Sequence, residues 1–235
     1  AFTERSHQFA IPAIADGRYA DEIVPVHVPS LNTTVTADDT PRADCKGDRL
    51  KKMKPIFDKQ TGVITAAGSS RFTDGSAALL VTSDKAAKRL GLQPKAVVVD
   101  YQFSAVKDLE TEMLLGPAVT IPKLLARHGL TMADIGVWEL HEAFAAQILV
   151  NIACMARPEF AHEYHGGHAP GELPIDRLNR WGGSLALGNP FAATGMRLLG
   201  TAANRLNAEQ QRYAVVSSCA GGGLGAAILL ENPNL

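Results

Sequence analysis

The sequence YAVVSSCAGGGLGAAILLE, residues 213–231, decides the fold class of this 235-residue chain. An apolar run leads to Cys219, three glycines follow, and a second apolar run completes the pattern. Glycine admits positive φ and lets the backbone approach a ligand closely. The stretch therefore predicts two strands joined by a glycine turn, with a cysteine near the end of the first strand.

Helix and strand patterns alternate on the N-terminal side of this hairpin. Strands are predicted over residues 96–105 and 135–140, and helices over residues 117–129, 141–156 and 194–206. The continuous valines of the first strand indicate burial on both of its faces. The alternation of strands with helices is typical of a layered α/β domain.

The N-terminal part of the chain is less regular. Residues 1–19 have helical spacing but no capping signal ahead of them, so we expect the sequence to begin inside a longer protein. A strand is predicted near Ala77–Val81, and a capped helix over residues 83–91. The stretch WGGSLALGNPFAATGMR, residues 181–197, predicts a strand, a turn at Asn189 and the start of a helix.

Composition narrows the functional classes. The net charge is −1, so no broad basic field favours nucleic acid. The three cysteines lack metal-type spacing, which predicts a reducing compartment and no metal site. No apolar run approaches the roughly 20 residues of a transmembrane helix. The basic cluster at residues 45–54 is a solvated helix face or, alternatively, a contact for a phosphorylated cofactor.

Three positions where one predicted segment ends and the next begins carry polar residues that are candidates for chemistry. We call these positions corners. His141 and Glu142 come directly after a predicted buried strand. They are interpreted either as acid/base residues or as the cap of the next helix. Cys219 is a nucleophile or acid/base group, or else a buried thiol beside a turn. Asn189 is either a site residue or an ordinary turn asparagine.

Read together, these corners resemble one family. HEAFAAQ at 141–147, GGSLALGNPFAATGMR at 182–197 and CAGGGLGAA at 219–227 are similar to the three C-terminal signature blocks of thiolases. Their order and separations also match. The histidine of HEAF and the segment PFAATG resemble the long-chain branch, the 3-ketoacyl-CoA thiolases (acetyl-CoA acyltransferases) that form the β-subunit of the fatty-acid oxidation complex.

The resemblance implies an α/β fold with α-β-α-β-α layers, of which this chain holds the C-terminal half and the end of the loop domain. Residues 1–71 correspond to the end of the loop domain. Residues 72–93 correspond to the last strand and helix of the N-terminal half, and residues 94–235 to the C-terminal domain. The family's nucleophilic cysteine belongs to a block that is not found here.

The implied reaction is thiolytic cleavage of a 3-ketoacyl-CoA, with coenzyme A as a substrate and no permanently bound cofactor. By position, Cys219 resembles the acid/base cysteine, and His141 resembles a donor to a thioester oxygen. Gly221 corresponds to the turn beside the second oxyanion site, and Ser70 to the serine beside the CoA pantetheine arm. Asn189 stands where the family has the histidine of Gly-His-Pro.

An amide at Asn189 donates hydrogen bonds but cannot take a proton from a thiol. The hypothesis is therefore a thiolase with reduced thiolysis. The alternatives are a catalytically silent subunit or CoA-binding half, or a condensing enzyme with a Cys-His-Asn set. The resemblance also implies a homodimer or dimer of dimers, a hydratase/dehydrogenase α subunit as partner, and a location in bacterial cytoplasm or the mitochondrial matrix.

Overall fold

The computed structural model describes residues 1–167 and 170–235. Its α-helices are α1 (Phe2–Ala15), α2 (Gly47–Lys51), α3 (Asp84–Leu90), α4 (Leu109–Glu112), α5 (Gly116–Arg127), α6 (Ala145–Met155), α7 (Pro158–His165), α8 (Ser184–Leu187) and α9 (Ala192–Ala208). Its strands are β1 (Val26–Val28), β2 (Thr33–Val35), β3 (Val97–Ala105), β4 (Val137–Leu140), β5 (Tyr213–Ala220) and β6 (Leu224–Glu231). No helix in these two ranges is both long and apolar enough to span a membrane.

The main sheet has the strand order β3-β6-β5-β4. Strands β5 and β6 form the predicted antiparallel hairpin, in which Cys219 pairs with Gly225. Gly222 and Gly223, in the turn between them, have φ of +92° and +75°, which glycine adopts without steric cost. Only β4 and β5 are parallel, so the sheet is mixed.

Helices cover both faces of this sheet. Trp138 and Val215 pack with residues of α5 and α6 in one apolar cluster. Val137 and Val216 pack with α9 in a second cluster on the opposite face. Because successive strand residues point to opposite faces, this alternation produces three layers in the order helix, sheet, helix. The α/β class predicted from the sequence is confirmed.

Helix α1 lies far away in sequence but packs against the segment that leads into α8. Ala10, Trp181 and Leu187 share an apolar cluster, and the Tyr19 hydroxyl donates to the Trp181 carbonyl at 2.5 Å. Gly182 has φ +95°, and a Cβ there would lie 2.5 Å from the Ala10 Cβ. A glycine at residue 182 therefore satisfies both the backbone conformation and the close helix contact.

Three local predictions are wrong. β3 is an edge strand, and Val97 and Val98 are about half exposed, so the valine run is not buried on both faces. Residues 77–81 form no strand, since no described strand lies beside them to pair with. Residues 184–187 form the single-turn helix α8 rather than a strand, because they make helical backbone bonds to Gly183 and Ser184.

Candidate functional site

The candidate site lies at the carboxyl end of the parallel pair β4 and β5. Parallel strands end at the same edge of a sheet, and α/β proteins bind ligands at such edges. The His141 amide continues the ladder beyond β4 by donating to the Ser217 carbonyl at 2.9 Å. Cys219 is two residues beyond Ser217, so the fold brings the His141 and Cys219 corners to one edge.

His141 is nearly buried, with 7% exposure. It does not begin a helix as predicted: α6 starts at Ala145, and residues 141–144 form the connection. Nδ1 of the imidazole lies 2.8 Å from Ser184 Oγ, whereas Nε2 has no hydrogen-bond partner within residues 1–167 and 170–235. Burial, reinforced by the charge of Arg197, lowers the pKa of His141 to about 4. The imidazole is therefore neutral at pH 7, with one ring nitrogen available to a ligand.

Glu142 connects the segments behind the site. The alternative that it caps the helix following His141 is wrong, because α6 begins at Ala145 and has no side-chain cap. Its carboxylate is fully buried and accepts hydrogen bonds from the Asn179 amide at 2.7 Å, the Ser6 hydroxyl at 2.7 Å and the Leu185 amide at 3.2 Å. A Cβ at Gly183 would lie 2.1–2.3 Å from the carboxylate atoms. The Gly-Gly of WGGSLAL was the available sequence signal for this close approach.

Asn189 is engaged on both sides of its amide. Oδ1 accepts from the Thr194 hydroxyl at 2.9 Å and from the Phe191 amide at 3.2 Å, and Nδ2 donates to Ser70 Oγ at 3.3 Å. These contacts hold the turn that starts α9, where Phe191 has φ +47°, an uncommon conformation for a residue with a side chain. The interpretation of Asn189 as a turn asparagine describes these contacts well.

Ser70 lies between two of the corners. Its amide donates to the Ala143 carbonyl at 2.8 Å, and its hydroxyl accepts from Asn189. The neighbouring backbone forms isolated bridges, Ser69 with Phe144 and Phe72 with Asn189. The segment that carries Ser70 therefore joins the 141–144 connection to the Asn189 turn.

Cys219 is 7% exposed, and burial raises the pKa of its thiol to about 11. Burial also raises the pKa of Cys45, in its loop, and of Cys154, on α6. Since nucleophilic cysteines need a lowered pKa, all three thiols are protonated and poorly activated at neutral pH. At Gly221, a Cβ would meet no atom within 4 Å, so the space beside this turn is open.

Two residues of the site were missed by sequence reasoning. Ser184, fully buried at the start of α8, contacts the His141 imidazole. Arg197, on α9, donates from Nη2 to Ser184 Oγ at 3.0 Å. Both belong to the stretch 181–197. Neither residue type indicates its partner, which lies 43 residues away for Ser184 and 13 residues away for Arg197. Within the described ranges, no cluster of three or more His, Cys, Asp or Glu side chains could hold a metal ion.

The structure is that of an α/β protein with a histidine, a thiol and a glycine turn at one edge of its sheet. The family model "Thiolase, C-terminal domain" matches residues 92–232, and "Thiolase, N-terminal domain" matches residues 1–85. The chain belongs to the thiolase family.

The relatives agree with this assignment. The chain is 42% identical over 233 residues to a 3-ketoacyl-CoA thiolase of Pseudoalteromonas translucida, covering 99% of this chain and 53% of the relative. It is 44% identical over 228 residues to the mitochondrial trifunctional enzyme subunit beta of Bos taurus, covering 97% and 47% respectively. The chain thus spans about half the length of the curated relatives it matches.

Solved structures show the same fold. The Bacillus anthracis acetyl-CoA acetyltransferase superposes with a TM-score of 0.84 at 33% identity, covering 99% of this chain and 56% of that structure. Human mitochondrial 3-ketoacyl-CoA thiolase superposes with a TM-score of 0.82 at 29% identity, covering 99% and 54%. The thiolase-like fold implied by the sequence motifs is confirmed.

Proposed function

We propose that the complete protein is a 3-ketoacyl-CoA thiolase, which cleaves a 3-ketoacyl-CoA with CoA to give acetyl-CoA and a shortened acyl-CoA. The observation that carries the proposal is the edge of β4 and β5, where Nε2 of His141 has no partner among the described residues and the Cys219 corner lies at the same edge. A neutral imidazole donor and a protonated thiol suit a reaction that generates charge on a thioester oxygen and on a departing carbon.

Each residue has a role under this proposal. Cys219, protonated at neutral pH, donates a proton to the leaving enolate and later accepts one from the incoming CoA thiol. His141 donates a hydrogen bond to a thioester oxygen. Ser70 contacts the pantetheine arm of CoA, and the turn at Gly221 borders the second oxyanion site. No stretch of these 235 residues resembles the family's nucleophile block, so we assign the nucleophile to sequence outside them. The raised pKa values of the three cysteines present agree with this assignment.

A mostly apolar recess beside the segment that follows His141 supports an acyl substrate, although His141 itself does not line it. The recess has a volume of about 420 Å³; its lining includes Phe57, Met113, Phe144 and Val150, together with the polar side chains of Glu110, Glu112 and Gln147. Phe144 is three residues from His141 and packs edge-on against Phe57 with ring centroids 6.0 Å apart. An aliphatic chain gains roughly 0.8 kcal/mol for each methylene buried in such a recess.

The arrangement of the complete protein is proposed by the same reasoning. We assign residues 1–71 to the end of the loop domain, 72–93 to the end of the N-terminal half and 94–235 to the C-terminal domain. Half-exposed apolar side chains on β3 suit a homodimer or a covering domain. A hydratase/dehydrogenase α subunit as partner, and a location in bacterial cytoplasm or the mitochondrial matrix, are part of the same proposal. A relative named as a trifunctional enzyme subunit beta, and relatives from a bacterium and from mitochondria, support it.

The test is thiolysis by the complete protein, measured as acetyl-CoA formed from a 3-ketoacyl-CoA and CoA. We expect slow turnover, and we expect Asn189→His to raise it by about 10²–10⁴, the usual contribution of a general base. Asn189→Gln is the matched control, because it changes the same turn without adding a base. An Asn189→His variant that folds and shows no gain would contradict reduced thiolysis as the consequence of Asn189.

The same assay separates the alternatives. CoA binding without acetyl-CoA formation would indicate a catalytically silent subunit or CoA-binding half. Formation of a longer 3-ketoacyl product from two acyl-CoA molecules, without thiolysis, would indicate a Cys-His-Asn condensing enzyme. That alternative needs Nδ2 of Asn189 to donate to the substrate; Nδ2 has two protons and donates one of them to Ser70 Oγ at 3.3 Å.

A further inference from the structure

A chain of three side chains leads from α9 to the site. Arg197 Nη2 lies 3.0 Å from Ser184 Oγ, which lies 2.8 Å from Nδ1 of His141. Ser184 is fully buried and His141 is 7% exposed. The contact with Ser184 is the one hydrogen bond that Arg197 makes in the described part of the chain, and its Nε and Nη1 are buried without partners there.

The hydrogen-bonding capacity of these groups fixes the direction of the chain. A guanidinium only donates, so Ser184 Oγ accepts from Arg197. The Ser184 hydroxyl then has one proton to donate, and within residues 1–167 and 170–235 its one remaining contact is Nδ1 of His141. A fully buried hydroxyl proton left unpaired would cost about 1–3 kcal/mol. Nδ1 is therefore the acceptor, and the single proton of the neutral ring sits on Nε2.

We propose that Ser184 and Arg197 are positioning residues that hold His141 in the neutral tautomer with the proton on Nε2, so that the imidazole serves as a hydrogen-bond donor. The inference rests on the proposed function, in which His141 donates to a thioester oxygen. In the opposite tautomer Nε2 presents a lone pair, which repels that oxygen. Ser184 thus selects the useful tautomer, and Arg197 orients Ser184.

Arg197 has a second effect on the same ring. Its charge opposes addition of a second proton, which would give an imidazolium and require Ser184 to turn its own proton away from Nδ1. The two effects act together: the hydrogen bond selects the tautomer, and the charge keeps the ring neutral. A donor held in one orientation needs no reorganisation as charge develops on the oxygen.

The direct test is a nitrogen NMR spectrum of the complete protein labelled with ¹⁵N-histidine, with His141→Gln used to assign the His141 signals. We expect a protonated Nε2 and an unprotonated Nδ1 in the wild type at pH 7. We expect Ser184→Ala to give a mixture of tautomers and Ser184→Thr, which keeps the hydroxyl, to restore the Nε2 proton. A wild type with the proton on Nδ1, or a Ser184→Ala spectrum identical to the wild type, would overturn the proposal.

Kinetics supply a second readout. Ser184→Ala should lower kcat roughly tenfold to a hundredfold, less than the 10²–10³ lost when an oxyanion donor is removed outright. KM should change little, because the donor matters most in the transition state. Arg197→Met should lower kcat in the same way, and the double variant should lose no more than the larger single loss.

The matched control is Ser217→Ala. It removes the hydroxyl of another buried serine, 2% exposed, which donates to the Ala226 carbonyl at 2.7 Å and makes no hydrogen bond to the imidazole in the described residues. We expect it to keep the wild-type tautomer; a tautomer change in this control would show that the effect is general loosening and would overturn the specific role of Ser184. Failure of thiolysis in the wild type with the Nε2 proton present would instead count against the proposed function alone.

Discussion

The His141 and Asn189 corners look alike in sequence and differ in the structure. Each is a polar residue beside a segment end. His141 is held through Nδ1 and leaves Nε2 free, whereas Asn189 Oδ1 accepts from Phe191 and Thr194 while Nδ2 donates to Ser70. Within the described residues, one ring nitrogen of His141 makes no hydrogen bond, whereas both the oxygen and the nitrogen of the Asn189 amide make hydrogen bonds that hold a turn. Residue type at a corner therefore says less about function than which atoms remain unpaired.

The largest effect should come from Glu142, which lies next to His141 and accepts three buried hydrogen bonds. Glu142→Ala leaves the buried donors of Ser6, Asn179 and Leu185 without their acceptor, at about 1–3 kcal/mol each. We expect the free energy of unfolding to fall by about 4 kcal/mol or more in urea titrations of the complete protein. Glu142→Gln, which keeps one acceptor oxygen and the volume, should lose clearly less; equal losses would show that the hydrogen bonds contribute little.

The next effect concerns activity and separates the corners directly. His141→Ala removes the free donor at Nε2 and should lower kcat for thiolysis by about 10²–10³. The comparison is with Asn189→Ala. The free energy of unfolding of both variants is the control measurement, because both must be folded when kcat is compared. If Asn189→Ala lowers kcat as much as His141→Ala at matched stability, the two corners are catalytically equivalent and the contrast between them is wrong.

The third effect is pH-dependent stability at the His141 corner. The pKa of this imidazole is lowered from 6.5 to about 4 in the folded protein, so the unfolded chain binds the extra proton between these values. The contribution of the neutral His141 imidazole to the free energy of unfolding is fully present above pH 6.5. It is lost as the pH falls toward 4, by about 3 kcal/mol in total. Unfolding titrations from pH 7 to 4 should show a shallower loss in His141→Gln. Parallel curves for wild type and variant would contradict the lowered pKa.

The smallest effect belongs to the Asn189 turn. Asn189→Ala removes two acceptor contacts in the turn before α9 and should destabilise the fold by about 1–2 kcal/mol, as expected for two lost hydrogen bonds. Asn189→Asp keeps the acceptor oxygens and should retain most of the stability in the same thermal or urea unfolding measurement. A loss in Asn189→Asp as large as in Asn189→Ala would mean that the Ser70 contact, rather than the contacts of Oδ1, holds the turn.

Capping and turn residues correctly predicted helices whose hydrogen bonds join residues close in sequence. The helix at Asp84–Leu90 has Ser83 accepting from the Ala86 amide at its start and Gly91 with φ +66° at its end. Signals that depend on neighbouring strands failed. The valines at 97–99 have the composition of a central strand but lie at the edge, and residues 77–81 have strand composition without a described partner. The composition of a segment indicates that it can form a strand, but only the neighbouring strands determine whether it pairs and whether it lies at the centre or the edge of a sheet.

The amino-acid sequence by itself determined the α/β class, the hairpin around Cys219 and the family, because these depend on periodicity, turn residues and motifs within short windows. Only the tertiary structure decided which atoms are available for chemistry. His141 meets Ser184 across 43 residues, and Glu142 meets Ser6 across 136. A side chain's free atoms are those left after such distant partners have been satisfied, since buried polar groups must be paired. The sequence names the groups at a site, and packing decides which of them can act.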